Sequence, residues 1–113
     1  MKSNSQEDSM KNIYTVEFKN VHYYLEIHTA LKNGLKLPEY YGKNLDALWD
    51  CLTDFIDNDI EIILKNFQDV EKVDKEYADK ILNVFKDAKH YANDTFLGVR
   101  IIVERNGAAT EIE

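Results

Sequence analysis

The sequence predicts an α/β domain in which a three-stranded parallel sheet is packed with three to four helices. Three observations point there. Apolar residues alternate with polar ones, or run together as β-branched residues, in three short segments. Between those segments the apolar spacing switches to intervals of three and four, the period of an amphipathic helix. Strands separated in this way by helices need crossovers, and crossovers produce parallel pairing.

The first strand is expected over Ile13–Phe18, where Tyr14, Val16 and Phe18 alternate with Thr15 and Glu17. From Tyr24 to Leu35 the residues Tyr24, Ile27, Leu31 and Leu35 mark one face of a helix, and Gly34 stands where that helix could end. LPEYYGKN, residues 37–44, holds the only proline and reads as a loop. Asn44 at its end is a suitable N-cap for a second helix, whose apolar stripe is Leu45, Leu48, Leu52, Phe55 and Ile56. This helix is expected to end near Asp57-Asn58-Asp59. Ile60–Leu64 suits a buried strand. Phe67–Val73 suits a short helix, and Asp74–Ala92 a longer one with Tyr77, Ile81, Phe85 and Ala88 on one face. The third strand is expected over Phe96–Val103.

The chain has 113 residues, enough for one domain with a core that needs neither disulfide nor metal. Residues 1–12 lack periodicity and read as a disordered polar leader; 13–105 form the domain; 106–113 read as a flexible tail. The N-terminal residues contain no apolar signal-peptide core, and no apolar run reaches membrane-spanning length. The one cysteine, Cys51, cannot form an internal disulfide and favours a reducing compartment, so a cytoplasmic location is expected.

Acidic residues number 21 against 14 basic, a net charge of −7. Such a chain repels nucleic-acid phosphate and attracts a basic protein. The same charge could serve solubility alone, so its placement matters more than its sum. Asp46, Asp50 and Asp54 follow one another at i, i+4, and Asp57 extends the row. Like charges at this spacing destabilise a helix by roughly 0.2–0.5 kcal/mol per pair. No lysine or arginine between Lys43 and Lys65 relieves them. Asp46 alone is explained by the dipole of the first helical turn; Asp54 and Asp57 lie towards the wrong end for that. A solvated acidic face would account for the charges, but not for Trp49 beside them or for Tyr40 and Tyr41 in the preceding loop. Aromatic rings next to carboxylates are the composition of a protein-binding surface.

An enzyme is the rival class. Two aspartates could act as acid and base, or Cys51 could pair with a histidine. The aspartates, however, sit on what reads as an open face, and Cys51 follows Asp50 and so should turn towards the core. His22, His28 and His90 are scattered without metal-ligand spacing. Neither catalysis, a metal nor a cofactor is therefore expected.

The stretch LPEYYGKNLDALWDCLTDF, residues 37–55, closely resembles the core segment of the barstar family, intracellular inhibitors of barnase-like ribonucleases. The likeness is ungapped and includes Pro38, Glu39, Tyr40, Tyr41, Gly42, Asn44, Leu45, Asp46, Trp49, Asp50, Cys51 and Thr53. Weaker similarity follows in register at His28 and Leu31, and at Val84-Phe85 and Ala88-Lys89, so that it spans roughly Ile13 to Val103. The resemblance implies a barstar-like α/β fold and a partner-binding face. It implies that Asp50 enters the ribonuclease active site in place of an RNA phosphate, and that Tyr40 stacks on the catalytic histidine. Asp46 would pair with basic side chains at the rim, Gly42 and Asn44 would supply loop contacts, and Trp49 and Thr53 would pack beside Asp50. Asp87 matches the acid on the family's last helix, one methylene shorter than the usual glutamate. Phe55 stands where the family has a second tryptophan, Asp54 where it has a small residue, and Asp59 where it has a proline. The segment near Tyr91–Phe96 is a few residues longer. The partner implied is thus a basic ribonuclease, met by a monomer. The alternative is a binding module of the same fold for another basic protein.

Overall fold

A computed structural model describes residues 12–55, 60–95 and 99–113, without the side chains of Phe55 and residues 93–95. Along the chain run β1 (Asn12–Glu17), α1 (Tyr24–Leu35), α2 (Leu45–Phe55), β2 (Ile60–Lys65), α3 (Phe67–Val73), α4 (Lys75–Thr95), β3 (Arg100–Arg105) and β4 (Ala108–Glu111). The expected leader lies outside the described residues, except for Asn12, which opens β1.

The sheet corrects one expectation. It has four strands, not three, in the order β1-β2-β3-β4. The first two pairings are parallel, with Tyr14 opposite Ile62 and Ile62 opposite Ile101. The third is antiparallel, with Val103 opposite Thr110. The extra strand comes from the segment read as a tail. Asn106 and Gly107 take φ values of 51° and 82°, the left-handed pair that a tight two-residue hairpin demands. Arg100 on β3 then meets the Glu111 carboxylate of β4 at 3.1 Å. The Lys89 ammonium of α4 donates to the Ile112 carbonyl at 2.6 Å.

Burial alternates along the strands. Val16, Ile60, Ile62, Leu64, Ile101 and Val103 are buried, whereas Thr15, Glu17, Lys65 and Arg100 are exposed. The helices therefore cover one face of the sheet, against which Ile27, Leu31, Leu48, Leu52, Ile81 and Phe85 are buried. α1 runs through Gly34 and ends one residue beyond it, with Lys36 in the left-handed conformation at φ 56°. Gly34 serves another purpose. A Cβ there would stand 2.7 Å from the Val16 Cα, so the missing side chain lets the last turn of α1 lie directly on β1.

Candidate partner-binding site

Asn44 starts α2 as expected. Its side-chain oxygen accepts the Ala47 N–H at 2.8 Å, and its backbone carbonyl accepts the Leu48 N–H at 2.9 Å. Leu48 and Leu52 anchor the helix in the core. With that face fixed, the 3.6-residue period turns Asp46, Asp50 and Asp54 outward, and all three are exposed. None of them is ion-paired with another described residue.

The loop before α2 divides its two tyrosines. A turn closes when the Tyr41 N–H donates to the Pro38 carbonyl at 3.0 Å. Tyr41 points into the core and is only 4% exposed, while Tyr40, one residue earlier in the turn, is 82% exposed. Lys32 of α1 steadies the outer side of the loop, its ammonium 3.0 Å from the Glu39 carboxylate, and this pairing holds the Glu39 carboxyl below its usual range.

Tyr40, Asp50, Cys51, Thr53, Asp54 and Tyr91 line an open cleft of about 420 Å³. Of the residues expected from sequence, the cleft gathers Tyr40, Asp50 and Thr53. The Thr53 hydroxyl is turned back to its own helix, donating to the Trp49 carbonyl at 3.0 Å or the Asp50 carbonyl at 3.2 Å. Trp49 is half-buried against the core beside the cleft, its ring meeting Tyr91 edge-on at 6.0 Å between centroids. Gly42, Asn44 and Asp46 are exposed along the loop and the first turn of α2, outside the cleft lining. Asp87 is exposed on α4, one helical turn before Tyr91. Phe55 closes α2, and its side chain lies outside the described residues, as does Asp57.

Two readings change here. Cys51 packs partly against the core but also lines the cleft. Its thiol is pushed up by burial and by the neighbouring Asp50 and Asp54 carboxylates, so it stays protonated at neutral pH and is a poor nucleophile. Tyr91 was not expected at the site. It is 54% exposed, on a helix that continues to Thr95 rather than ending at Ala92. Its signal in the sequence is the four-residue spacing from Asp87, which puts both on one face of α4.

Among the described residues the cleft is lined by carboxylates and aromatic rings, and no histidine stands beside Cys51 in it. Among the described residues no three His, Cys, Asp or Glu side chains converge as metal ligands, and no helix is long and apolar enough to cross a membrane. The arrangement can receive cationic groups and stack on planar ones.

The model of the family described as "Barstar (barnase inhibitor)" matches residues 11–104. A protein of Bacillus subtilis (strain 168) named "Putative ribonuclease inhibitor YrdF" is 41% identical over 88 residues, covering 78% of this chain and 90% of the relative. Both descriptions are of inhibitors rather than of enzymes. On the family match over residues 11–104 and the 41% identity to this relative, the chain belongs to the barstar family.

Proposed function

We propose that this protein inhibits a barnase-like ribonuclease by covering its basic active site, in the cytoplasm of the cell that makes both. The observation that carries the proposal is Asp50: exposed, not ion-paired with any described residue, and flanked in the cleft by Tyr40 and Tyr91.

A ribonuclease active site holds phosphate among cations. Asp50 would take the phosphate position, with Asp46 and Asp87 meeting basic side chains at the rim. Tyr40, Trp49, Tyr91 and Phe55 would exclude water, and Gly42, Asn44 and Thr53 would border the contact. Opposite charge on the two faces speeds encounter and makes it salt-dependent. The uncompensated row Asp46, Asp50 and Asp54 also disfavours pairing of this face with itself, which supports a monomer before binding.

Titration of purified barnase with this protein, reading RNA cleavage at two salt concentrations, tests the proposal. Stoichiometric inhibition is expected. Removing one partner of a buried ion pair costs about 3–5 kcal/mol, so Asp50→Ala should weaken binding by roughly two to four orders of magnitude. Equal losses from Asp50→Ala and Asp54→Ala would refute the assignment of Asp50. The second reading, another basic partner, is favoured by Asp54, which adds a carboxylate to the cleft. Absence of inhibition at high molar excess would mean that the partner is a different ribonuclease or not a ribonuclease at all.

A further inference from the structure

His28 is the one buried histidine among the described residues, only 1% exposed, and the binding chemistry above makes no use of it. Its Nδ1 lies 2.6 Å from the Tyr41 hydroxyl and its Nε2 lies 2.6 Å from the Tyr77 hydroxyl. Burial lowers the affinity of this imidazole for a second proton, and the Lys43 charge acts in the same direction. A neutral imidazole has one N–H and one lone pair. One tyrosine hydroxyl therefore donates to the ring while the other accepts from it, and both ring nitrogens are satisfied.

Besides its bond to His28, Tyr77 is held at two further points. Its backbone N–H donates to the Asp74 carboxylate at 3.0 Å. Its ring stacks on Tyr24 with centroids 4.6 Å apart, and the Tyr24 hydroxyl donates to Asp74. This cluster joins the first turns of α1 and α4. Through His28 it reaches Tyr41, the residue that closes the loop turn and carries Tyr40 beside it on the chain.

We infer that His28 and Tyr77 are positioning residues of the binding loop: by fixing the Tyr41 hydroxyl they hold Tyr40 in its exposed pose before any partner arrives. The inference rests on the proposed function for its consequence in binding, but not for its structural content. A loop so fixed is binding-competent most of the time. A loosened one is competent for a fraction of the time, and its apparent affinity falls by that fraction.

Tyr77→Phe in the full chain keeps the ring, its stacking and its burial, and removes only the hydroxyl. Amide hydrogen exchange of residues 38–43 should then speed up by about tenfold, because a buried hydrogen bond to the loop anchor is lost. Exchange in β2 and β3 should change much less. Unchanged loop exchange, or an equal rise in the strands, would overturn the inference by showing either no coupling or only general destabilisation. Binding to barnase supplies a second readout. Tyr77→Phe should weaken it, chiefly in the association rate, and should add nothing in a chain that already carries Tyr40→Ala. Full additivity in that double variant also overturns the inference. If the wild-type protein fails to inhibit barnase, the proposed function falls, and the exchange ratio alone decides the role of His28 and Tyr77.

Discussion

Replacing Gly34 by alanine sets two effects of opposite sign against each other. Gly34 lies within α1, where alanine is the better helix former by about 1 kcal/mol. Propensity alone therefore predicts a more stable protein. The new Cβ, however, would sit 2.7 Å from the Val16 Cα, 2.8 Å from the Thr15 carbonyl oxygen and 2.8 Å from the Val16 Cγ2. Ordinary carbon contacts lie at about 3.5–4.0 Å, so α1 must retreat by roughly 0.8 Å from β1. Two of the three obstructing atoms are backbone and cannot rotate away. Ile27, Leu31 and Leu35, all fully buried on the same helix, would lose close packing as it moves. Overpacking of this kind costs about 1–3 kcal/mol, and a clash with backbone belongs at the upper end. The net loss is about 2 kcal/mol, which for a domain near 100 residues lowers Tm by about 8 °C. Thermal unfolding followed by circular dichroism, with urea unfolding beside it, measures this. A Tm equal to or above that of the wild type would refute the close approach of α1 to β1.

Other perturbations follow from single contacts. Asn44→Ala removes the cap on α2 and should cost about 1 kcal/mol of stability by urea unfolding, with Asn44→Gly losing only part of it. The buried imidazole of His28 binds a proton less readily when folded than when unfolded. Its contribution is thus fully present above the ordinary histidine value, near 6.5, and is lost as pH falls below it. Urea midpoints measured from pH 7.5 down to 5.5 should fall, and His28→Gln should flatten that slope; an unchanged slope would exclude His28 as its source. Gly107 has a φ of 82°, and a Cβ added there would meet nothing within 4 Å. Gly107→Ala should therefore cost about 1 kcal/mol through backbone strain alone, whereas Gly107→Asn should cost less; urea unfolding of the two variants measures the difference.

The parts of the fold that could be read from sequence were those in which local pattern and tertiary burial agree. Val16 and Phe18 alternate because one sheet face is covered, and both are fully buried. Asn44 stands before an apolar stripe and caps it. β4 was missed because all four of its residues are exposed, leaving no apolar alternation to detect. Asn106-Gly107 was the available signal, since this dipeptide suits a hairpin whatever the strand composition. At the site, Tyr40, Asp50 and Thr53 lie in one contiguous loop-helix segment and could be grouped from it. Tyr91 comes from a different helix, and only the packing of α4 beside α2 brings it to Trp49. His28 looked isolated because its partners stand 13 and 49 residues away; no spacing rule links them.

The C-terminal hairpin bears on how the protein behaves among copies of itself. β3 carries Ile101 and Val103 within a six-residue strand. Left bare, such an edge is a template on which the strand of another molecule can build. β4 occupies that template and presents in its place a rim of only four residues, ending in a glutamate already engaged by Arg100. Just beyond it, Lys89 takes the Ile112 carbonyl, removing one more acceptor an incoming strand could use. On this side the sheet thus ends in a short border of small and polar side chains, a poor template for a strand from another molecule.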